Sequence, residues 1–296
     1  MNKASENTAS EKSAATSGQS SQANLAGKTL IMSGGSRGIG LAIAERAARD
    51  GANVVLVAKT DTPDPRLEGT IHTAAAAIEE AGGKVLAVVG DVRDDDTIAA
   101  AVQSAVDTFG GIDIVVNNAS VISLDGTLNV SAKRYDLMQD VNVRGTFMLT
   151  KAALPHLLEA ANPHILSLCP PLNLAPKWLG PNPAYTLAKY GMTLATLGFA
   201  AEFAAQGVAA NALWPRTTIA TAAVANLLGG QEMIRRSRHA TIMADAAHAI
   251  LTTPSRELTG QTIIDEKLLR ARGMVDFAAY AVDPTAELMV DLYVDP

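Results

Sequence analysis

Cysteine, aromatic residues and long apolar runs are all scarce in this sequence. Cys169 is the single cysteine among 296 residues, which excludes an intramolecular disulfide and is typical of a reducing compartment. No apolar run reaches the ~18 residues that a membrane-spanning helix needs, so we expect no transmembrane segment. The five histidines lack the spacing of metal ligands, and we therefore expect no metal site.

Basic residues are outnumbered by acidic ones. The chain has 24 Lys and Arg against 30 Asp and Glu, a net charge of −6, whereas a nucleic-acid interface needs a basic face to neutralise phosphates. We therefore expect no nucleic-acid partner. Residues 1–24 have almost no apolar side chains to bury, which argues against a secretory signal and predicts a disordered tail on a cytoplasmic protein.

Short apolar runs alternate with longer helical stretches from Thr29 onward. This order is typical of βαβ units and predicts an α/β protein with a parallel sheet flanked by helices. The predicted strands are Thr29–Met32, Val54–Ala58, Val85–Val89, Ile112–Val116, His164–Leu168, Val208–Leu213 and Gln261–Asp265. The predicted helices include residues 70–81, a stretch that ends at Phe109, and residues 134–158, 183–205 and 217–228. The proline-rich loop 169–183 should be irregular.

The glycine-rich stretch Ser33–Gly40 lies between the first strand and the first helix. A strand that turns directly into a helix leaves unpaired N–H groups beside the positive end of the helix dipole, and such a site suits a phosphate. The spacing is Gly-x-x-x-Gly-x-Gly, not the usual Gly-x-Gly-x-x-Gly of dinucleotide sites, so a turn without a ligand stays an alternative. The candidate cofactor contacts here are Gly34, Gly35, Ser36, Arg37, Gly38, Ile39 and Gly40.

Two cations favour NADP over NAD at such a site. An acid about twenty residues after the glycine turn holds the ribose 2′-hydroxyl of NAD, but this sequence has Lys59 in that region. A lysine pairs instead with the extra 2′-phosphate of NADP, and Arg37 within the turn favours the same cofactor. The alternative for each cation is an ordinary solvated side chain.

Tyr185 and Lys189 lie one helical turn apart in the first turns of the predicted helix 183–205. Positions four apart share a helix face, so the phenol and the ammonium group can reach one pocket. We expect the cation and the helix N-terminus to lower the pKa of the phenol from its usual ~10, which would make Tyr185 a proton donor for a carbonyl. The alternative is packing, with the lysine head in water.

Over residues 25–266 the sequence resembles the short-chain dehydrogenase/reductase family. Besides the glycine turn and the tyrosine–lysine pair, the resemblance rests on Asp91-Val92, Asn117-Asn118-Ala119, Asn142, Asn211 to Pro215 and Thr259-Gly260-Gln261. It implies a single Rossmann-type, doubly wound domain in which hydride passes between a nicotinamide and a carbonyl or alcohol carbon. Residues 267–296 are then a C-terminal extension packed on or beside that domain.

The resemblance also implies roles for individual residues. Tyr185 is the acid or base, Lys189 holds the nicotinamide ribose and lowers the pKa of the tyrosine, and Asn142 supports a water relay. The residues implied at the adenine and in the cofactor cleft are Asp91, Val92 and Asn118. Family members usually form homodimers or homotetramers, and the small residues of the helix 184–205 would allow such pairing.

One position departs from the family pattern. The family places a serine after the fifth strand to polarise the substrate carbonyl, and here that position is Pro170, which has no donor. Asn173 is the substitute we favour over Ser167 and Cys169. Two functions therefore stay open: an NADP-dependent oxidoreductase acting on an apolar, lipid-like hydroxyl or carbonyl compound, or a nucleotide-binding protein with little or no turnover.

Two smaller expectations concern segments near the site. Residues 217–230, with two glycines at their end, are expected to cover an apolar substrate as a mobile lid. Within the family, the run Pro170 to Leu174 is most similar to a group whose members can carry a following sterol-carrier domain. We expect this 296-residue sequence to lack that domain.

Overall fold

The computed structural model describes residues 24–64, 68–227 and 229–295. The predicted disordered tail, residues 1–24, lies outside these ranges apart from Asn24.

Seven parallel strands form one sheet in the order β3-β2-β1-β4-β5-β6-β7. They are β1 (Thr29–Ser33), β2 (Asn53–Ala58), β3 (Lys84–Val89), β4 (Ile114–Asn117), β5 (His164–Ser167), β6 (Ala209–Trp214) and β7 (Thr262–Ile264). In the middle of the sheet, Leu30 of β1 pairs with Val54 on one side and with Ile114 on the other. The predicted α/β class and all seven strands are confirmed, with strand ends shifted by one or two residues.

Helices cover both faces of the sheet. They are α1 (Gly38–Ala48), α2 (Ile71–Glu80), α3 (Asp95–Phe109), α4 (Ala132–Met138), α5 (Gly145–Leu157), α6 (Pro176–Leu179), α7 (Pro183–Glu202), α8 (Ala222–Leu227), α9 (Gly230–Arg235), α10 (Thr241–Leu251) and α11 (Asp265–Ala271). Within the described ranges, no helix is both long and apolar enough to cross a bilayer.

Two apolar cores separate the helices into layers, which makes the fold doubly wound. Side chains alternate across a strand, so Leu30 and Met32 of β1 pack in the core shared with α1, α2 and α10, whereas Ile31 packs in the core shared with α3, α5 and α7. Because all seven strands are parallel, their carboxyl ends lie at one edge of the sheet, with the loops that follow them.

Three predicted segments differ from the structure. The helix predicted over 134–158 is interrupted by a π-helical turn, Gln139–Arg144, which separates α4 from α5. The loop 169–183 is not wholly irregular, because Pro176 opens the one-turn helix α6, where proline's missing N–H costs nothing. In the described part of this range, residues 217–227, helical structure is confined to α8, since residues 217–220 form bridges to the chain around Arg238 and Val290.

The C-terminal residues return to the carboxyl end of β6. Thr217 forms an antiparallel bridge with Val290, the Asp291 N–H donates to the Arg216 carbonyl at 3.0 Å, and Trp214 Nε1 donates to the Leu292 carbonyl at 2.9 Å. Residues 289–295, called here the C-terminal strap, therefore lie directly against the strand that ends beside the candidate site.

Candidate active site

The turn after β1 and the loop after β4 meet at the carboxyl edge of the sheet. The Ser33 hydroxyl accepts the Asn118 and Ala119 N–H groups, both at 3.2 Å, and so ties β1 to the loop after β4. A Cβ on Gly34 or Gly40 would come within 2.6 or 2.5 Å of the Asn118 side-chain nitrogen. The first reason that positions 34 and 40 need glycine is therefore steric. The Asn118 side chain packs between them, at the point where strand order reverses.

The start of α1 fits a phosphate group. The first N–H groups of any α-helix lack partners within the helix, and the N-cap residue Arg37 makes no side-chain capping hydrogen bond. Gly34, Gly35 and Gly38 all have positive φ, between 60 and 92°, which only glycine adopts readily. The turn thus presents backbone donors and the positive end of the helix dipole without a side chain over them, as a dinucleotide diphosphate needs.

The predicted cofactor-selecting cations lie beside acidic and carbonyl oxygens. Lys59 Nζ is 3.3 Å from Asp91 Oδ2, and Arg93 binds the same carboxylate at 2.7 Å. These contacts, the Arg93 hydrogen bond foremost, lower the pKa of Asp91 to about 2. The Arg37 guanidinium donates to the Glu68 and Gly69 carbonyls, each at 2.8 Å. Both cations are therefore fixed at the carboxyl edge of the sheet, with the Lys59 side chain 57% exposed.

Val92 and Asn142 act through packing and positioning. The Val92 side chain is buried against Gly145, where any Cβ would come within 2.9 Å of it. Asn142, fully buried in the π-helical turn, accepts the Val121 N–H at 2.8 Å and donates to the Val121 carbonyl at 3.0 Å. Both polar atoms of the Asn142 side chain are thus used to hold the loop after β4.

Tyr185 and Lys189 lie on the buried face of α7, 4% and 3% exposed. Pro183 opens this helix at its first position, and the N-cap residue Asn182 makes no capping hydrogen bond with its side chain. Lys189 Nζ donates to the Leu168 carbonyl at 2.9 Å and lies 5.3 Å from the centre of the Trp214 ring. Burial lowers the pKa of Lys189 to about 8, so the amine is mostly a cation at neutral pH.

The expected lowering of the Tyr185 pKa is wrong for the chain on its own. Burial raises the pKa of this phenol well above its usual value, and the neighbouring Tyr293 and Asp291 raise it further. A hydrogen bond from the Ser120 side chain acts in the opposite direction. Desolvation of this nearly enclosed phenol is the largest of these effects, so Tyr185 is protonated at neutral pH.

A cavity of about 190 Å³ joins the glycine turn to the tyrosine–lysine pair. Its polar lining comes from Asn118, Ser120, Tyr185, Lys189, Thr221 and Asp291, and most of the remaining wall is apolar: Ile39, Ile122, Leu168, Trp214, Pro215, Ile219, Ala223, Val224, Met243 and Leu292. The segment predicted to be a lid, 217–230, therefore supplies part of this wall.

Sequence reasoning missed Ser120, Asp291 and Leu292 as residues of the site. Burial raises the pKa of the Asp291 carboxyl to about 7, although the Leu292 N–H donates to it at 2.6 Å. Only the contacts of the folded C-terminal strap bring Asp291 and Leu292 here. The apolar runs Leu288-Met289-Val290 and Leu292-Tyr293-Val294 are the signal in the sequence that this segment is buried.

Pro170 has no substitute among the three residues considered from sequence. Asn173, the favoured one, turns its side-chain nitrogen to Asp295 at 2.9 Å and does not line the cavity. The Ser167 hydroxyl is fully buried between Asn117 and Thr196. Burial raises the pKa of the Cys169 thiol to about 11, and this side chain is also enclosed in the core. The expectation for Asn173 is therefore wrong, because the C-terminal strap binds its amide.

Comparison with known proteins identifies the family. The family profile described as short chain dehydrogenase matches residues 28–231. Hydroxysteroid dehydrogenase-like protein 2 from Danio rerio is 54% identical over 271 residues, which are 92% of this chain and 65% of that protein. The chain thus spans slightly less than two thirds of that relative's length.

Two crystal structures share both sequence and fold with the chain. One is a protein from Xanthomonas campestris and the other a short chain dehydrogenase from Mycobacterium thermoresistibile, each 56% identical and matched over 92% of this chain. The matches cover 100% and 96% of those chains, with TM-scores of 0.89 and 0.87. The resemblance inferred from the motifs is confirmed: this chain belongs to the short-chain dehydrogenase family.

Proposed function

We propose that the chain is an NADP-dependent oxidoreductase that moves hydride between a nicotinamide and a hydroxyl or carbonyl carbon of an apolar, lipid-like substrate. The observation that carries this proposal is the cavity, which joins the phosphate-binding turn at Ile39 to Tyr185 and Lys189. The mostly apolar wall favours an apolar substrate, because a polar one would lose its water without gaining partners. The proposed catalytic domain spans residues 25–266, with 267–296 as an extension packed beside it.

The residues of the cavity have different roles in the proposed carbonyl reduction. A bound nicotinamide supplies the hydride. The protonated Tyr185 phenol donates its proton to the carbonyl oxygen, and the Lys189 cation holds the ribose and stabilises the phenolate that is left. Asn142 holds the backbone of Val121, and with it the loop that lines the cavity opposite α7. The apolar wall excludes water from the reacting carbon.

We infer the preference for NADP from Lys59 and Arg37. Charge-assisted hydrogen bonds to a phosphate are stronger than neutral ones, and both cations lie near the turn that would hold the adenosine half of the cofactor. Lys59 is partly satisfied by Asp91 in the free chain, so a 2′-phosphate has to share this lysine with the carboxylate. NAD offers no such anion, and its affinity depends less on Lys59.

Replacing Lys59 with aspartate tests the cofactor preference. We expect Lys59→Asp to lower the ratio of NADPH to NADH affinity by at least about tenfold, because a charge-assisted hydrogen bond is lost and a repulsion takes its place. Lys84→Asp is the matched control, because it makes the same change of charge on an exposed residue. Lys84 lies at the amino end of β3, whereas Lys59 follows the carboxyl end of β2. An affinity ratio that is the same in wild type and Lys59→Asp would contradict the preference.

The oxidoreductase itself is tested in two stages. NADPH should quench the fluorescence of Trp214, which lines the cavity, and should raise the melting temperature. Absorbance at the nicotinamide band then follows cofactor oxidation with 2-decanone, decanal and a 3-oxosteroid as probes. We expect binding and measurable oxidation with at least one probe. Failure of NADPH and NADH to bind would contradict the proposal outright.

A second candidate function rests on Pro170. A chain without a donor at that position and with Asn173 turned away binds the cofactor but turns it over slowly or not at all. This second function predicts that wild type and Pro170→Ser both bind NADPH and that none of the probes oxidises it. Recovery of turnover by Pro170→Ser alone would instead show an otherwise complete oxidoreductase site.

We also propose a cytoplasmic homodimer or homotetramer. The supporting feature is an apolar outer surface on α4, α5 and α7: Tyr135, Phe147, Leu187 and Leu194 are 38 to 59% exposed. On the same helix, Gly191 lets α7 approach Val143 closely, since a Cβ there would come within 2.8 Å of the valine side chain. A second copy of the chain would cover these side chains. The cytoplasmic assignment rests on the single, buried cysteine.

Light scattering after size exclusion tests the assembly. We expect wild type to elute at a multiple of 30.7 kDa and Leu194→Glu to shift towards the monomer mass, because a charge in an apolar interface has no partner. Val275→Glu is the control, since Val275 is 87% exposed and lies after α11, away from the proposed interface. A monomeric wild type at micromolar concentration would refute the assembly.

A further inference from the structure

The site of this chain needs a hydrogen-bond donor that its sequence does not supply at the expected place. A carbonyl that accepts hydride develops negative charge on its oxygen, and a second donor beside the proton-donating group stabilises that charge. Pro170 cannot donate, and its own carbonyl accepts the Thr193 hydroxyl at 2.7 Å. Any donor that acts in its stead has to reach the cavity at Tyr185.

We propose that Ser120 is this donor and that its hydroxyl binds the substrate carbonyl oxygen together with Tyr185. The inference rests on the proposed oxidoreductase function. Ser120 lines the same cavity as Tyr185 and Lys189, is exposed, and lies near enough to the Tyr185 phenol to lower the pKa of that group. Ser120 belongs to the loop after β4, whereas Pro170 follows the neighbouring strand β5.

The backbone on both sides of Ser120 is fixed. Before it, the Ala119 N–H donates to the Ser33 hydroxyl at 3.2 Å. After it, Val121 forms two hydrogen bonds with the Asn142 side chain, at 2.8 and 3.0 Å. The position of the Ser120 hydroxyl is therefore set before substrate arrives, and a preorganised donor costs no reorganisation during the reaction. Asn142 becomes a positioning residue for Ser120.

The other neutral hydrogen-bonding side chains described in the cavity wall have partners outside the tyrosine–lysine pair. Asn118 Nδ2 donates to the Ser33 carbonyl at 3.3 Å and is packed between Gly34 and Gly40. Thr221 lies beside Gly38 at the glycine turn, where its hydroxyl accepts the Val224 N–H at 3.4 Å. The Trp214 indole donates to the C-terminal strap at Leu292. Of these groups, Ser120 is the one that acts on the pKa of the Tyr185 phenol, which it lowers.

The proposed step is balanced without a further reactant. The hydride adds to the carbonyl carbon, the π electron pair moves to the oxygen, and that oxygen takes the proton of the Tyr185 phenol. Ser120 donates a hydrogen bond to the same oxygen and keeps its proton. Alcohol oxidation is the reverse, with the phenolate as the base.

Geometry and kinetics test the proposal separately. In a crystal structure of the free chain we expect Ser120 Oγ within about 3.2 Å of Tyr185 Oη. With the best of the three carbonyl probes, Ser120→Ala should lower kcat about 10²-fold and leave NADPH affinity unchanged. Pro170→Ser in the Ser120→Ala background should then recover at least a tenth of the lost rate, because it returns a hydroxyl at the family position. Ser123→Ala is the matched control from the same loop, since the Ser123 hydroxyl bonds Asp125 and does not line the cavity.

Several results would overturn the proposal. They are a Ser120 hydroxyl turned away from Tyr185 in the crystal, an unchanged kcat in Ser120→Ala, or equal losses in Ser120→Ala and Ser123→Ala. A 10²-fold loss in Asp291→Asn with none in Ser120→Ala would move the role to the strap carboxyl. If wild type binds NADPH but reduces none of the probes, the proposed function fails, and the Oγ–Oη distance still decides whether Ser120 holds the donor position.

The pH profile separates a donor role from a structural one. The groups that act on the Tyr185 phenol are Ser120 on the loop after β4, and Asp291 and Tyr293 on the strap; Lys189 on α7 lines the same cavity. Loss of the Ser120 hydrogen bond should raise the pKa of the phenol, because that bond favours the phenolate. For alcohol oxidation, which needs the phenolate, Ser120→Ala should shift the rise of kcat to higher pH. A profile that only falls in height would indicate structural damage.

Discussion

Tyr185→Phe should lower the rate of carbonyl reduction by about 10³-fold while NADPH binds as tightly as it does to wild type. In the proposed function the phenol is the proton donor, and general acids of this kind contribute about 10² to 10⁴-fold. Phenylalanine retains the ring that packs against Tyr293, at 6.4 Å between centroids, so the fold of the strap is preserved. Cofactor oxidation at saturating substrate, with NADPH affinity from fluorescence quenching, measures the two effects independently.

Tyr190→Phe is the matched control for that experiment. Tyr190 lies on the same helix, but its hydroxyl bonds the Asn173 backbone at 2.6 and 3.1 Å and does not line the cavity. Its loss should cost less than about tenfold in rate and some stability. Equal rates in wild type and Tyr185→Phe would show that the proton comes from another group.

The second large effect is expected at Tyr293, which anchors the C-terminal strap. Its ring is 1% exposed and packs against four other aromatic rings, those of Trp178, Tyr185, Tyr190 and Trp214, at centroid distances of 5.3 to 6.4 Å. Tyr293→Ala removes this anchor and leaves a cavity, at a cost of about 3 kcal/mol or more. We expect a fall of roughly 5 °C in melting temperature. Hydrogen exchange in residues 289–295 should increase first, because the Tyr293 ring packs this segment against the rest of the fold.

Tyr293→Phe distinguishes packing from hydrogen bonding at this position. It retains the ring and loses only the contact of the Tyr293 hydroxyl with the Thr186 hydroxyl at 3.1 Å, which should cost about 1 kcal/mol. Since Asp291 and Leu292 line the cavity, Tyr293→Ala should also raise KM for an apolar substrate more than Tyr293→Phe does. A Tyr293→Ala variant that melts and exchanges like wild type would show that the strap is not held by this side chain.

Local patterns in the sequence were sufficient to predict the sheet and to place the two halves of the candidate site, the glycine turn and the tyrosine–lysine pair, at its edge. Each strand is a short apolar run ended by glycine, proline or a polar residue, and parallel strands place their carboxyl ends at one edge. The glycine turn, Lys59, Asp91 and Asn118 all follow such strands directly. Tyr185 and Lys189 are four residues apart on one helix, so their shared face followed from helix geometry alone.

The rest of the site depends on contacts between residues far apart in the chain. The π-helical turn that places Asn142 is not visible in a stretch whose residues suit an ordinary α-helix. Asn173 was expected in the site because of its nearness to Pro170, but Asp295, 122 residues later, binds its amide. The pKa of Tyr185 was expected to be low because the nearest cation was visible in the sequence. The burial of the phenol beside Tyr293 and Asp291, which raises its pKa, was not visible in the sequence.

Ser120 illustrates both sides of this comparison. Its neighbours Asn117, Asn118 and Ala119 belong to a recognisable motif after β4, yet the serine itself carried no signal of chemistry. Only the folded chain brings its hydroxyl to a phenol on α7, 65 residues later, in a cavity where the usual donor is absent. With Ser120 in its proposed role, the site has a second donor for a carbonyl oxygen despite Pro170.

The central claim is that the glycine turn and the tyrosine–lysine pair hold the two ends of one nicotinamide nucleotide. A crystal structure of the chain with NADP⁺ tests it most directly. We predict the diphosphate at the Gly34–Gly40 turn, the 2′-phosphate at Lys59, and the nicotinamide in the cavity beside Tyr185 and Lys189. A nucleotide bound elsewhere, or with its nicotinamide ring outside that cavity, would contradict the account.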